Sequence, residues 1–117
     1  MKMSPEILLK SLSDQTRLRS LMLLMQEGEL CVCELTHALD LMQPKISRHL
    51  ASLRELDVVI DRRAGQWIYY SINPKLPLWA NELLQAALKG SMDEKQFKSD
   101  LKKLKNMANR PENRFCA

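Results

Sequence analysis

The spacing of apolar residues changes once along this 117-residue chain, and that change limits the folds it can adopt. Before residue 57, apolar residues recur three and four positions apart, which is the spacing of amphipathic helices. From residue 58 to residue 72, two runs rich in β-branched and aromatic residues flank a polar turn that contains Gly65. Such runs around a short glycine-bearing turn predict a β-hairpin. The pattern therefore predicts one mainly α-helical domain that carries a hairpin.

Short polar residues, prolines and glycines predict where the helices begin and end. Ser4 before Pro5, and Asp14, are typical N-caps, whereas Gly28 is a typical C-terminal stop. By the same reasoning Gly90 should end the fifth helix, and Ser91 should cap the last one. The signals predict helices that begin near residues 5, 14, 32, 44, 77 and 92. We assign residues 1–108 to the domain and residues 109–117 to a mobile C-terminal tail.

The third and fourth predicted helices are short and joined by a tight turn, as in a helix-turn-helix. Apolar residues of the fourth helix recur on one side, so polar residues near its start face the other side, where they can enter a major groove. The candidate DNA-binding residues are Gln43, Lys45, Ser47 and Arg48 on this helix, and Arg62, Arg63 and Gln66 at the hairpin turn. A formal charge of +4 favours a polyanionic partner. We expect His49 to be structural and His37 to be solvated.

The chain has three cysteines, two of which, Cys31 and Cys33, stand at the predicted start of the third helix. Thiolates prefer soft ions. Side chains two apart in a regular helix point roughly 200° from one another, so both sulfurs can bind one ion only where the helix start is open or becomes open. Such opening would shift the DNA-reading helix. The alternative interpretation is that both cysteines are small buried hydrophobic residues. The odd cysteine count argues against a disulfide framework.

Three segments together resemble the arsenic-responsive repressors of the ArsR/SmtB family: residues 29–35 with the two cysteines, residues 43–50, and the hairpin turn at residues 62–67. The resemblance runs from about residue 7 to residue 88. It implies a homodimeric winged helix-turn-helix that represses an arsenic-resistance operon and leaves operator DNA when As(III) or Sb(III) binds Cys31 and Cys33. It also implies a dimer interface formed by the first helix and the helix over residues 77–89.

The chain departs from these repressors at Thr36, where many of them have a third cysteine. A hydroxyl is a poor substitute for a thiolate on arsenic, so the third ligand is expected to be Cys116, a small exogenous thiol or hydroxide. No zinc site is expected, because a closed zinc site needs four ligands and no histidine lies in residues 77–89.

Other classes of function remain as alternatives. The closest is a winged-helix repressor that senses another soft metal ion or thiol oxidation. An adaptor that binds proteins through its hairpin is a second alternative. An enzyme is disfavoured because the sequence has no nucleophile–base pattern, no glycine-rich phosphate loop and no paired catalytic carboxylates. Without a signal peptide or a long apolar stretch, the protein is expected in the cytoplasm and not in a membrane.

Overall fold

A computed structural model of the chain describes residues 3–111. In this part of the chain the elements are α1 (Pro5–Leu12), α2 (Gln15–Glu27), β1 (Glu29–Cys31), α3 (Val32–Leu39), α4 (Gln43–Glu55), β2 (Val59–Ala64), β3 (Trp67–Ile72), α5 (Leu78–Ser91) and α6 (Lys95–Lys105). The predicted mainly helical fold with a hairpin is confirmed. None of the helices among residues 3–111 is long and apolar enough to cross a bilayer.

The predicted helix ends are confirmed in the first third of the chain. The hydroxyl of Ser4 accepts a hydrogen bond from the amide of Ile7 at 3.2 Å. The carboxylate of Asp14 accepts one from the amide of Arg17 at 3.0 Å. Each cap satisfies an amide that has no carbonyl partner in the first turn. Gly28 ends α2 with a φ of 91°, a value that L side chains rarely adopt.

The predicted boundary between the last two helices is wrong. Helix α5 continues through Gly90 to Ser91, and the hydroxyl of Ser91 donates to the carbonyl of Ala87 at 2.9 Å instead of capping α6. Helix α6 begins at Lys95 after Glu94 as N-cap. A glycine inside a helix costs only about 1 kcal/mol, so a single glycine is a weak stop signal when the packed face of the helix continues past it.

The hairpin belongs to a three-stranded antiparallel sheet with the order β1-β3-β2. The sequence did not predict β1, because three residues are too few to show the alternation of a strand. Its pairing with β3 places these residues opposite one another: Glu29 and Ser71, Leu30 and Tyr70, and Cys31 and Tyr69. The segment that contains the first cysteine is therefore hydrogen-bonded to the hairpin.

One hydrophobic core joins the helices to one face of the sheet. Its fully buried members include Leu21, Leu24, Leu30, Leu35, Ile46, Leu50, Leu53 and Val58. Residues from α3, α4 and β1 all contribute to it. This shared packing fixes the orientation of α3 and α4 relative to the sheet.

Hydrogen bonds from Arg19 connect α6 to the end of α3. Arg19 of α2 donates through Nε and Nη2 to the buried carboxylate of Asp100, at 2.9 and 2.8 Å. The same Nη2 donates to the carbonyl of Leu39, the last residue of α3, at 2.9 Å. One guanidinium therefore satisfies a buried acid and a helix C-terminus at once.

Candidate nucleic-acid interface and thiol pair

Helix α4 has the two faces that the sequence predicted. Ile46, Leu50 and Leu53 are fully buried against the rest of the core. Gln43, Lys45 and Arg48 are exposed, and Ser47 is half-buried. All four predicted side chains thus lie near the N-terminal end of α4 and outside the core.

The turn between α3 and α4 is tight. Asp40 ends α3 in the left-handed region, at φ 56° and ψ 46°, and its amide bonds to the carbonyl of Thr36. Asp is among the few non-glycine residues that tolerate this conformation. Helix α4 then starts at Gln43 with Pro44 in its first turn. The two helices and this turn form a helix-turn-helix.

The hairpin residues separate into two groups. Arg63 and Gln66 are exposed beside Gly65, which turns the chain at φ 62°. Arg62 instead leans back over the sheet, where it pairs with Glu29 of β1 and lies over the ring of Tyr69. The structure therefore does not bring Arg62 to the tip beside the other two.

His49 has the structural position that the sequence predicted. Its Nε2 lies 3.8 Å from the Asp14 carboxylate, and its Nδ1 lies 3.5 Å from Nη1 of Arg17. Burial lowers the pKa of His49 below 6.5, the nearby Asp14 carboxylate opposes that shift, and the cations Arg17, Lys45 and Arg48 add to it. The imidazole connects α4 to the start of α2.

Cys31 and Cys33 meet at the junction of β1 and α3. Cys31 is both the last residue of β1 and the N-cap of α3, with extended backbone at φ −83° and ψ 165°. Cys33 lies in the first turn of α3, with its Cα 5.4 Å from that of Cys31. The sulfurs therefore come together without any unwinding of α3, because the helix starts one residue after Cys31. The two are joined as a disulfide, which is a local bridge two residues long and not the disulfide framework that the odd cysteine count argued against.

A buried carboxylate organises the backbone around Cys31. Glu34 accepts from the amide of Cys31 at 2.9 Å, while the amide of Glu34 donates to Sγ of Cys31 at 3.4 Å. This is a reciprocal capping box with a sulfur in the usual place of a hydroxyl. Sequence reasoning missed Glu34, although its position three residues after the cap was the available signal.

Arg110 completes this arrangement from the other end of the chain. Its Nε donates to Oε2 of Glu34 at 2.5 Å, and both side chains are almost fully buried. Arg110 falls within the segment predicted as a tail, whereas residues 112–117, including the candidate ligand Cys116, lie outside the described residues. No sequence signal pointed to a contact between positions so far apart.

An open groove of about 640 Å³ adjoins the cysteines. Its walls include Cys31, Cys33, Gln43, Ser47, Gln66 and Trp67. The groove thus connects the thiol pair with predicted DNA-binding residues of both α4 and the hairpin. Thr36 also lines it, but its hydroxyl donates to the carbonyl of Val32 at 2.8 Å. Among residues 3–111, no three His, Cys, Asp or Glu side chains are grouped to hold a metal ion.

The helix-turn-helix followed by an antiparallel hairpin defines a winged-helix regulator. The family model described as "Bacterial regulatory protein, arsR family" matches residues 14–61, which include the thiol pair, α4 and the start of the hairpin. The chain is also 51% identical to "Arsenic resistance transcriptional regulator ArsR1" of Pseudomonas putida KT2440, over 94% of this chain and 84% of that one. The chain therefore belongs to the ArsR family of transcriptional regulators.

Two further similarities agree with this assignment. The "Arsenical resistance operon repressor" of Escherichia coli K12 is 47% identical over 79% of both chains. The crystal structure of the AntR antimony-specific transcriptional repressor superposes with a TM-score of 0.62 at 30% identity, covering 72% of this chain and 73% of that one. The predicted family and the winged-helix fold are confirmed.

Proposed function

We propose that this chain is a cytoplasmic, homodimeric repressor of an arsenic-resistance operon that releases operator DNA when As(III) or Sb(III) binds Cys31 and Cys33. The observation that carries the proposal is the joint position of Cys31, which ends a strand of the winged sheet and caps the first helix of the helix-turn-helix. Relatives named as arsenic-resistance regulators and a neighbour named as an antimony-specific repressor support the choice of inducer.

In this proposal, α4 enters the major groove and the hairpin follows the adjacent backbone. Arg48 and Gln43 are the candidates for reading base edges, since arginine pairs with guanine and glutamine with adenine. Lys45 and Ser47 contact phosphates, together with Arg62, Arg63 and Gln66 of the hairpin. The exposure of Gln43, Lys45 and Arg48 on the open side of α4 supports these roles.

The dimer uses α1 and α5. Both helices expose large apolar side chains within the described chain, and three of them are Leu9, Leu78 and Trp79. Leu78 leaves 76% of its surface exposed. Exposed apolar groups of this size are typical of surfaces that pair with another protein. A second copy of this chain, packed through the same helices, would cover them.

The inducer binds the reduced pair. Each sulfur that replaces a hydroxide of arsenous acid gives up its thiol proton, and one water leaves per As–S bond formed. Cys31 and Cys33 supply two sulfurs, and Cys116 is the candidate third ligand. Residues 111–116 span at most about 20 Å when extended, and Arg110 is anchored beside Cys31 through Glu34. A small exogenous thiol or hydroxide in the groove is the alternative.

Release follows from thermodynamic linkage between the metalloid site and the DNA-binding surface. A metalloid can dissociate the repressor only by binding more tightly to the conformation that binds DNA badly. A change in the positions of Cys31 and Cys33 acts directly on the start of α3, and α3 packs against α4 in the shared core. The same change acts on β3 through the pairing of Cys31 with Tyr69.

The decisive experiment is an operator-DNA titration of the reduced protein with and without arsenite. Wild type should lose affinity when arsenite is added, whereas the Cys31→Ser/Cys33→Ser variant should bind DNA equally well in both conditions. A wild-type dimer that stays on its operator with both sulfurs occupied by arsenite would refute the proposal. Antimonite, cadmium and lead in parallel titrations would rank the inducers.

The Cys116→Ser variant tests the third ligand in the same assay. If Cys116 binds arsenic, arsenite affinity should fall in this variant while DNA affinity without arsenite stays at the wild-type value. Unchanged arsenite affinity would exclude Cys116. Adding a small thiol to that variant would then show whether an exogenous sulfur takes its place.

The disulfide between Cys31 and Cys33 favours a second candidate function, in which the pair senses oxidation. A peroxide would take two electrons and two protons from the thiols, forming the S–S bond and two molecules of water. Peroxide treatment should then lower the DNA affinity of wild type and leave the double serine variant unaffected. Equal DNA affinity of the reduced and oxidised proteins would exclude this function.

A further inference from the structure

The side chain of Arg62 is held against the sheet by Glu29, the residue that begins β1. Its Nε and Nη2 donate to the two carboxylate oxygens of Glu29 at 3.0 and 2.8 Å. Its guanidinium carbon also lies 4.8 Å from the centre of the Tyr69 ring. Both charged groups are partly open to water, with 47% and 32% of their side chains exposed. The pair can therefore open without breaking the core.

This ion pair is part of a row of side chains that starts at the thiol pair. Cys31 lies directly opposite Tyr69, and Tyr69 lies directly opposite Arg62. Directly opposite residues of an antiparallel pair share a face of the sheet. Glu29 is two residues from Cys31 and lies on that same face. Because β1 has only three residues, we expect a displacement of Cys31 to displace Glu29 as well.

We propose that Glu29 is a positioning residue that competes with an operator phosphate for Arg62, so that the thiol pair acts on DNA through the wing. This inference depends on the proposed function, in which Arg62 contacts DNA. The Nε–Nη2 edge of a guanidinium binds one carboxylate or one phosphate in the same bidentate geometry. While Glu29 occupies that edge, a phosphate must displace it. Metalloid binding at Cys31 strengthens the contact of Glu29 with Arg62 and so weakens the contact of Arg62 with phosphate.

The test is the Glu29→Gln variant, which keeps the shape of the side chain and removes its charge. Its operator affinity should rise by about two- to five-fold per wing, the range expected for loss of an exposed ion pair. The gain should disappear when Arg62 is also replaced by alanine. Circular dichroism of each variant confirms that it is folded.

A matched control is available at Asp61, which lies on β2 of the hairpin and pairs with Arg54 of α4. Arg54 and Asp61 form an ion pair with the same 2.8 Å separation and nearly the same exposure, 47% and 33%. Asp61→Asn therefore removes one negative charge from the wing without releasing Arg62. An equal rise in DNA affinity for Asp61→Asn, or a gain that survives in the Arg62→Ala background, would show a general charge effect and overturn the inference. So would unchanged or weaker binding by Glu29→Gln.

Arsenite provides the second readout. If the wing transmits the signal, the ratio of operator Kd with and without arsenite should be smaller in Glu29→Gln than in wild type, again by about two- to five-fold per wing. An unchanged ratio would remove the wing from the mechanism. An Arg62→Ala variant with wild-type DNA affinity would overturn the inference while leaving DNA reading by α4 intact. If the operator affinity of the wild-type protein did not change with arsenite, the proposed function would be refuted instead.

Discussion

Arg110 reaches back from beyond the last helix to donate its Nε to Glu34, a carboxylate with no exposed surface. Helix α6 ends five residues earlier, at Lys105, and its packing against α3 brings the following segment to the start of α3. Glu34 is also the residue that accepts the amide of Cys31. The end of the described chain is therefore connected, through a single carboxylate, to the backbone of the thiol pair.

Replacing Arg110 should destabilise the fold strongly. Arg110→Gln leaves the Glu34 carboxylate buried without its cation, which typically costs about 3–5 kcal/mol. The free energy of unfolding from urea denaturation measures this loss. Arg54→Gln is the matched control, because it breaks a solvent-exposed pair with Asp61, whose loss should cost far less than the loss of the buried pair. Equal losses in the free energy of unfolding in the two variants would show that the buried pair stabilises the fold no more than the exposed pair does.

Replacing Arg48 should weaken operator binding without affecting stability. If Arg48 reads a base edge, Arg48→Ala should cost about 1–3 kcal/mol of DNA-binding free energy and relax sequence preference at one position. A fluorescence titration with operator DNA measures the affinity. Lys98→Ala on α6 removes the same charge from an exposed position of another helix. If Arg48→Ala bound operator as tightly as wild type, Arg48 would not belong to the reading surface.

If α5 forms the proposed dimer interface, introducing a charge at Leu78 should dissociate the dimer. Leu78→Lys places an ammonium group in the apolar surface of α5, so the dimer dissociation constant should rise at least about tenfold. Sedimentation velocity over a concentration series measures the change. Met42→Lys is an appropriate control, since Met42 is 75% exposed but belongs to the turn before α4. A dimer that tolerates Leu78→Lys would place the interface elsewhere.

The stability of the protein should fall as the solution becomes acidic, in two separate pH ranges. Burial lowers the pKa of His49 below 6.5 in the folded state, so the unfolded chain takes up a proton first as the pH falls past 6.5. Stability therefore decreases below pH 6.5 until the folded protein also binds that proton. His49→Gln should remove this decrease from a pH series of urea melts, whereas His37→Gln controls for loss of an imidazole. A persistent decrease in His49→Gln would assign it to another group.

A second loss of stability should follow at lower pH through Asp14. The hydrogen bond from the amide of Arg17 is the main cause that lowers the pKa of Asp14 below 3.8, and partial burial opposes it. The cap therefore stabilises the fold above about pH 3.8, and its contribution is lost as the pH falls through the folded-state pKa. Asp14→Ala should cost about 1 kcal/mol at neutral pH. Its urea melts should differ less from wild type in acid.

The sequence predicted the features that depend on neighbouring residues. Ser4, Asp14 and Gly28 act on amides and carbonyls within one turn, so their effect is visible in the local sequence. The orientation of α4 also follows from local spacing. In contrast, β1 exists because Cys31 pairs with Tyr69, and the Glu34–Arg110 contact depends on how α6 packs on α3. Such long-range contacts leave no periodic signal in the chain.

The thiol pair combines a local feature that the sequence predicted with a long-range one that it did not. The spacing of Cys31 and Cys33 correctly indicated that the sulfurs could not meet inside a regular helix. Only the structure shows that Cys31 precedes the helix in an extended conformation. The position of Arg62 is similar, because its sequence environment indicated a basic turn, but its pairing with Glu29 depends on the unpredicted strand.

Cys31 belongs to a strand and to a helix cap at the same time, so no linker separates the proposed metalloid site from the elements that would respond to it. Inserting a single residue between Cys31 and Val32 would leave both cysteines in the protein. It would also place a flexible residue between β1 and α3, so that a movement of one need not move the other. A variant with that insertion should still bind its ligand, but ligand binding should no longer change its affinity for operator DNA. If the proposed function holds, a change of ion specificity must therefore keep the number of residues between β1 and α3 and vary the side chains around them.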